Sequence, residues 1–211
     1  LGQRGLGKIK DTLQVVRENR PLESDLDIHD IKRFKQDRRV RELLKTGKAI
    51  GCFYVESPAM RMLLTKLGVT DYAGLVAASS IIRPGVSKSG MMREHIKRFR
   101  DPGERKNAHP RMLEIMPDTF GVMVYQEDVI KVAHIYAKLT LGEADVLRRG
   151  MSGKYRSREE FRQVKQTFFD NCRAEGHPPE EVAEIWRQIE SFAGYAFAKG
   201  HSASYAVESY Q

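Results

Sequence analysis

Residues 191–211 read SFAGYAFAKGHSASYAVESYQ. An aromatic-glycine turn leads into Lys199-Gly200-His201-Ser202, and that step opens a helix. Beyond it, Ala203, Ala206, Val207 and Tyr210 recur at i, i+3, i+4 and i+7, the spacing of one helix face. Small residues around the step let something flat or charged come close. No glycine or proline stop precedes Gln211, and the chain starts at Leu1, so it is expected to be an excised piece of a longer polypeptide.

The same helical period runs back through the rest of the chain. Ile9, Leu13 and Val16 form one stripe, and apolar residues recur at helical spacing through 25–45. Gly47 reads as a helix stop. Ser57-Pro58 reads as a helix start and Gly68 as its end, with Thr70-Asp71 opening the next helix. Residues 50–55 are short and apolar, the best strand candidate. A basic helix is expected over 89–100, a polar loop over 101–110 and a helix over 126–139. Thr140 with Glu143, and Ser157 with Glu160, read as capping boxes. The helix from Arg158 should end near Gly176, and Pro178-Pro179 should open one that carries Trp186. The fold class expected is mainly α: an irregular multi-helix domain with at most a short strand or hairpin.

The 211 residues suffice for one large domain or two small ones. No apolar run approaches the ~18 residues of a membrane span. Cys52 and Cys172 are far apart and suggest reduced thiols in a cytoplasmic protein. The six histidines show no zinc spacing, Gly153-Lys154 lacks the rest of a phosphate loop, and no nucleophile elbow occurs. The net charge of +8 favours a polyanionic partner without identifying one.

Four clusters can carry chemistry. Arg148 and Arg149 end a helix, with Lys154 soon after and Gly150 and Gly153 beside them. Guanidinium forks match phosphate oxygens bidentately; a basic helix end that complements the macrodipole explains the same residues. In the second cluster, Tyr195 is suited to stack on a base or sugar. His201, beside Lys199 and Gly200, can reach a phosphate or hydroxyl; a packed tyrosine and a capping histidine are the plainer alternative. Tyr125, Gln126 and Glu127 sit at a turn into a helix. Arg83 and Lys88 flank a Pro-Gly turn, which is usually only a turn. The helix with Arg93, Lys97, Arg98 and Arg100 is more simply a solvated basic face, able to meet backbone phosphates. Asp25-Leu26-Asp27 looks like a metal-binding carboxylate pair, but it precedes a helix in a proline-bearing loop, where capping accounts for it.

Three segments in this order and spacing, GVMVYQE at 121–127, LRRGMSGK at 147–154 and the stretch at 191–211, resemble the C-family alpha subunit of bacterial DNA polymerase III. The likeness is clearest from residue 51 onward and lies in the fingers of that family. It implies a helical segment over 1–48 leading out of the palm, then a fingers domain over 49–211 that is cut short at its C-terminus. It implies that Arg148, Arg149, Lys154, Tyr195, Gly200 and His201 bind the incoming deoxynucleoside triphosphate. Arg83, Lys88, Tyr125, Gln126 and Lys199 would lie against DNA. No catalytic or metal-binding residue is expected in this piece: the Mg2+-binding aspartates would lie upstream, the third a few residues before Leu1. The implied partners are primer–template DNA, the palm and thumb of the parent chain, and the sliding clamp and other replisome subunits through regions absent here. Gly200 stands where the family more often has serine, and residues 51–58 also depart from the commonest form. Both departures suggest an accessory, error-prone paralogue. The alternatives are a non-enzymatic helical nucleic-acid-binding module and a purely structural interaction domain.

Overall fold

Asp37 ends one helix and begins the next. Its backbone N–H caps helix α2 (Ile31–Gln36), and its carboxylate accepts from the amides of Arg39 and Val40 at 2.7 and 3.3 Å to start α3 (Arg38–Thr46). The helical pattern over 25–45 is therefore realised as two short helices. The computed structural model describes residues 2–20, 26–83, 86, 90–151, 158–191 and 197–211, with side chains from residue 7 onward. Every regular element among them is helical, and no strand occurs among them. Two compact units are present, Leu1–Ala78 with Ala203–Gln211, and Ser79–Ser202.

The first unit holds α1 (Gly2–Asn19), α2, α3, α4 (Pro58–Leu67), residues 72–78 of α5 (Tyr72–Ile81) and residues 203–210 of α12 (Lys199–Tyr210). Gly47 ends α3 in the left-handed region, and its carbonyl accepts from Arg61 Nε at 2.8 Å. Ser57 caps α4 with Pro58 in the first turn, and Gly68 ends it, as the sequence indicates. Met60, Leu63, Leu64 and Leu67 form the buried face of α4. The C-terminal helix is tied in by Tyr72 Oη, which donates to the Ala203 carbonyl (2.9 Å), and by Ser209 Oγ, which donates to that of Phe53 (3.1 Å). Tyr205 stacks on Tyr54 at 4.9 Å.

Residues 50–55, the expected strand, are consecutive turns instead. Gly51 and Tyr54 take positive φ values of 83° and 64°, which a strand cannot accommodate. Their backbone bonds stay local, as in Cys52 N–H to the Ala49 carbonyl, and Glu56 turns its carboxylate back to the Gly51 amide.

The second unit begins with residues 79–81 of α5 and includes α6 (Met91–Arg100), a 3-10 turn (Pro102–Asn107), α7 (Pro110–Ile115) and a second 3-10 turn (Pro117–Thr119). Helices α8 (Gln126–Lys131), α9 (Leu141–Met151), α10 (Arg158–Ala174) and α11 (Pro179–Ser191) follow, and α12 begins in this unit. Helix α8 widens into a π-turn over Val132–Tyr136 and stops where Lys138 takes φ 55°. The expected box of Thr140 and Glu143 starts α9: Glu143 accepts from the Thr140 amide at 2.8 Å, and the Thr140 hydroxyl from that of Glu143 at 3.3 Å. Ser157, of the other expected box, lies outside the described residues. Met123, Val132, Tyr136, Leu147, Phe168, Trp186 and Ile189 are buried in the core. Gly150 is fitted to its neighbour: a Cβ there would meet the Phe161 ring at 2.2 Å. Tyr136 stacks on His177 and donates its hydroxyl to Glu181, which also pairs with His109 at 2.9 Å.

His95 is 1% exposed, packed against Phe99 and Phe120. Burial, and secondarily the Arg98 charge, lower its pKa to about 4. The Thr119 backbone pulls the other way, but neither ring nitrogen makes a full hydrogen bond, so burial prevails. The imidazole is neutral in the fold and charged in the unfolded chain below its ordinary pKa of 6.5. Its contribution is therefore intact above that value and lost as pH falls toward 4, by about 2 kcal/mol at pH 5. Urea unfolding from pH 7 to 4.5 should give a steeper acid loss for the native chain than for His95→Phe. Equal slopes would assign the loss to other groups.

Candidate functional site

The carboxamide of Gln126 accepts from Arg148 Nη1 at 3.1 Å, and its backbone N–H donates to the Phe197 carbonyl at 3.1 Å. One residue at the start of α8 therefore joins the end of α9 to the segment that enters α12. The three motifs read separately in the sequence meet here, within the second unit.

Local structure fixes each part. Asp128, 2% exposed, accepts from the amides of Val124 and Tyr125 at 2.9 Å each and so starts α8 beneath Gln126. Burial raises the Asp128 pKa, and these two amides hold it down in part. Glu127, the next residue, accepts from the Lys199 amide with both carboxylate oxygens, at 3.0 and 2.9 Å, and caps α12. Inside that helix, Ser202 shares a buried hydrogen bond of 2.5 Å with Ser80. The Lys199 ammonium pairs with Asp118 at 3.1 Å and lies 5.4 Å from the centre of the Tyr125 ring.

Tyr125 itself is only 5% exposed, and burial raises its hydroxyl pKa, with Asp128, Asp118 and Glu127 adding to the shift. Its ring is thus a wall of the site rather than a surface for stacking. The Arg83 guanidinium lies 3.5 Å from the centre of the Phe197 ring, within cation–π range. His201 is exposed, its ring 5.8 Å from that of Phe197. Gly200 is exposed too, with open space where a Cβ would stand. Tyr195, Lys154 and Lys88 fall outside the described residues, as do Pro84, Gly85 and Asp25.

Arg148 and Arg149 are both half-buried and share one counterion. Asp145 Oδ1 accepts from Nε and Nη2 of Arg148 at 2.9 and 2.8 Å, and Oδ2 lies 3.0 Å from Nε of Arg149. A cleft of about 530 Å3 opens between α9 and α10. Its lining includes Arg149, Gln163 and Thr167, but also the carboxylates of Glu143 and Glu160. The two carboxylates offset part of the positive charge that Arg149 brings to this cleft.

Residues 5–176 match the bacterial DNA polymerase III alpha subunit finger domain. The chain belongs to that family. It is 34% identical over 210 residues to the DNA polymerase III subunit alpha of Aquifex aeolicus (strain VF5), covering 100% of this chain and 18% of that protein. The same subunit of Staphylococcus aureus (strain COL) is also 34% identical over 210 residues, with 100% and 19% covered. That of Saccharopolyspora erythraea is 33% identical over 214 residues, with 100% and 17% covered. The chain thus spans less than a fifth of the length of these relatives.

In this finger domain the sequence singles out the arginine pair, Gln126 and Lys199, whereas Phe197, Asp118 and Asp145, which the fold sets against them or against Arg83, stand out only in the structure. Only Asp145 left a local signal: an acid three and four residues before two arginines lies over both on a helix. Among the described residues, no three His, Cys, Asp or Glu side chains are grouped to hold a metal ion. No helix among the described residues is long and apolar enough to cross a membrane.

Proposed function

We propose that this segment is the nucleotide-binding part of a template-directed DNA polymerase. The junction at Gln126 carries the reading, because it brings the arginine pair and the Lys199–His201 step to one place. Arg148 and Arg149, with Lys154, take the triphosphate. Tyr195, Gly200 and His201 border the base or sugar, and Arg83, Lys88, Gln126 and Lys199 lie toward the nascent pair and DNA, with Tyr125 as the packed wall behind them. Residues 1–48 lead out of the palm and 49–211 form the fingers. The aspartates that hold Mg2+ belong to the palm, so the isolated piece is inactive. The parent chain is a cytoplasmic nucleotidyltransferase working with its own palm and thumb and with a sliding clamp. The departures at Gly200 and at residues 51–58 suit an accessory enzyme.

The test is the affinity of the full-length polypeptide carrying this segment for a dideoxy-terminated primer–template. The complementary triphosphate should tighten the complex at least about fivefold, a coupling of ordinary size. Mismatched triphosphates should not. Salt-sensitive DNA binding that ignores nucleotide would identify a plain nucleic-acid-binding module instead.

A further inference from the structure

We propose that Asp145 is a positioning residue for nucleotide addition, holding Arg148 and Arg149 in the orientation that receives the triphosphate. The inference rests on the reading of the arginine pair given above.

Two adjacent guanidinium groups repel each other and, on flexible stems, sample many rotamers. Asp145, three residues before one and four before the other, lies over both on the surface of α9. Its two oxygens are divided between them, with Oδ1 serving the Nε edge of Arg148 and Oδ2 the Nε of Arg149. Edge-on engagement spends the nitrogens nearest the stem. The outer nitrogen of Arg148 reaches Gln126. No described residue accepts from the terminal nitrogens of Arg149, and those are the donors that match a phosphate. The ion pair itself adds little to stability at this exposure, with the Asp145 side chain 40% accessible. Its effect is on order: side chains fixed before the ligand arrives lose less freedom when it binds, and reacting groups stay aligned.

The carboxylate also neutralises one of two positive charges, which weakens ground-state attraction for the anion. Orientation and charge therefore act in opposite directions on kcat and KM. Asparagine has nearly the same shape but one acceptor oxygen, and its amide hydrogens face a second cation. It can hold one arginine, not both.

In the full-length polypeptide carrying this segment, Asp145→Asn should lower kcat/KM for single-nucleotide incorporation about tenfold. The loss should fall on kcat, with the nucleotide KM unchanged or lower and primer–template affinity unchanged. Asp145→Glu, which keeps both oxygens, should stay within about threefold of the native rate. In an Arg148→Ala background, the Asp145→Asn loss should shrink to less than about twofold, because residues acting as a unit are not additive. Thermal unfolding of each variant checks that it folds. No loss, a rise in KM alone, or the same loss in the Arg148→Ala background would overturn the assignment. If Arg149→Ala is also silent, the reading of the arginine pair fails. If Arg149→Ala is damaging and Asp145→Asn is not, only the role of Asp145 fails.

Discussion

Arg149→Ala is expected to reduce kcat/KM for nucleotide incorporation about ten- to a hundredfold while leaving primer–template affinity nearly unchanged. The size follows from what a charge-assisted hydrogen bond contributes, about 1.5–3 kcal/mol. Arg149 is the more telling of the pair. Arg148 is also a strut, tied to Gln126, so its removal disturbs the junction as well as the ligand. Arg149 has its Nε on Asp145 and no described acceptor for its terminal nitrogens. Deleting it costs the fold one half-exposed ion pair, an effect within about 1 kcal/mol. Kinetics and stability should therefore separate: a large loss of efficiency with a thermal midpoint shifted by only a few degrees. Unchanged kinetics would return both arginines to the status of a basic helix end.

Gly47→Ala should destabilise the chain by about 3 kcal/mol, a large share of the roughly 5–15 kcal/mol typical of a folded protein. Two costs add. Gly47 sits at φ 65°, where an L side chain is strained by about 1 kcal/mol or more. A Cβ there would also stand 2.6 Å from the Arg61 carbonyl oxygen and 2.7 Å from the Thr65 hydroxyl, and backbone cannot yield as a flexible side chain does. Overpacking of that kind costs about 1–3 kcal/mol. Gly68 supplies the control. Its φ is 67°, but a Cβ there meets nothing within 4 Å. Gly68→Ala should therefore carry only the conformational cost, about 1 kcal/mol. Equal losses in thermal or urea unfolding would show that the approach of α4 to Gly47 is not felt.

The contrast between these glycines also marks what the sequence can show. Both were legible as helix stops, and Ser57-Pro58 and Thr140 with Glu143 as helix starts, because caps are decided by neighbours three or four residues away. That Gly47 is packed depends on Arg61, fourteen residues on, and no local pattern carries it. Residues 50–55 form turns instead of a strand for a related reason: a short apolar run looks alike in a strand and in a chain of turns. Gly51 permits a positive φ, but nothing local announces one at Tyr54. The arginine pair, Gln126 and Lys199 stood out by residue type and by resemblance. Their convergence did not, since Gln126 and Arg148 are 22 residues apart and Lys199 and Asp118 are 81 apart. In the sequence Phe197 is one more aromatic in a turn; only the fold sets Arg83 over its face.

The first unit is assembled from residues 1–78 and residues 203–211. During synthesis its two parts are therefore made at different times. At roughly 5–20 residues per second, the ribosome takes about 6–25 s to make the intervening residues 79–202. Until α12 emerges, the Tyr72 hydroxyl has no Ala203 carbonyl to bond, Tyr54 lacks the ring of Tyr205, and the Phe53 carbonyl lacks Ser209. The part made first thus waits with an aromatic face uncovered until residues 203–211 are made.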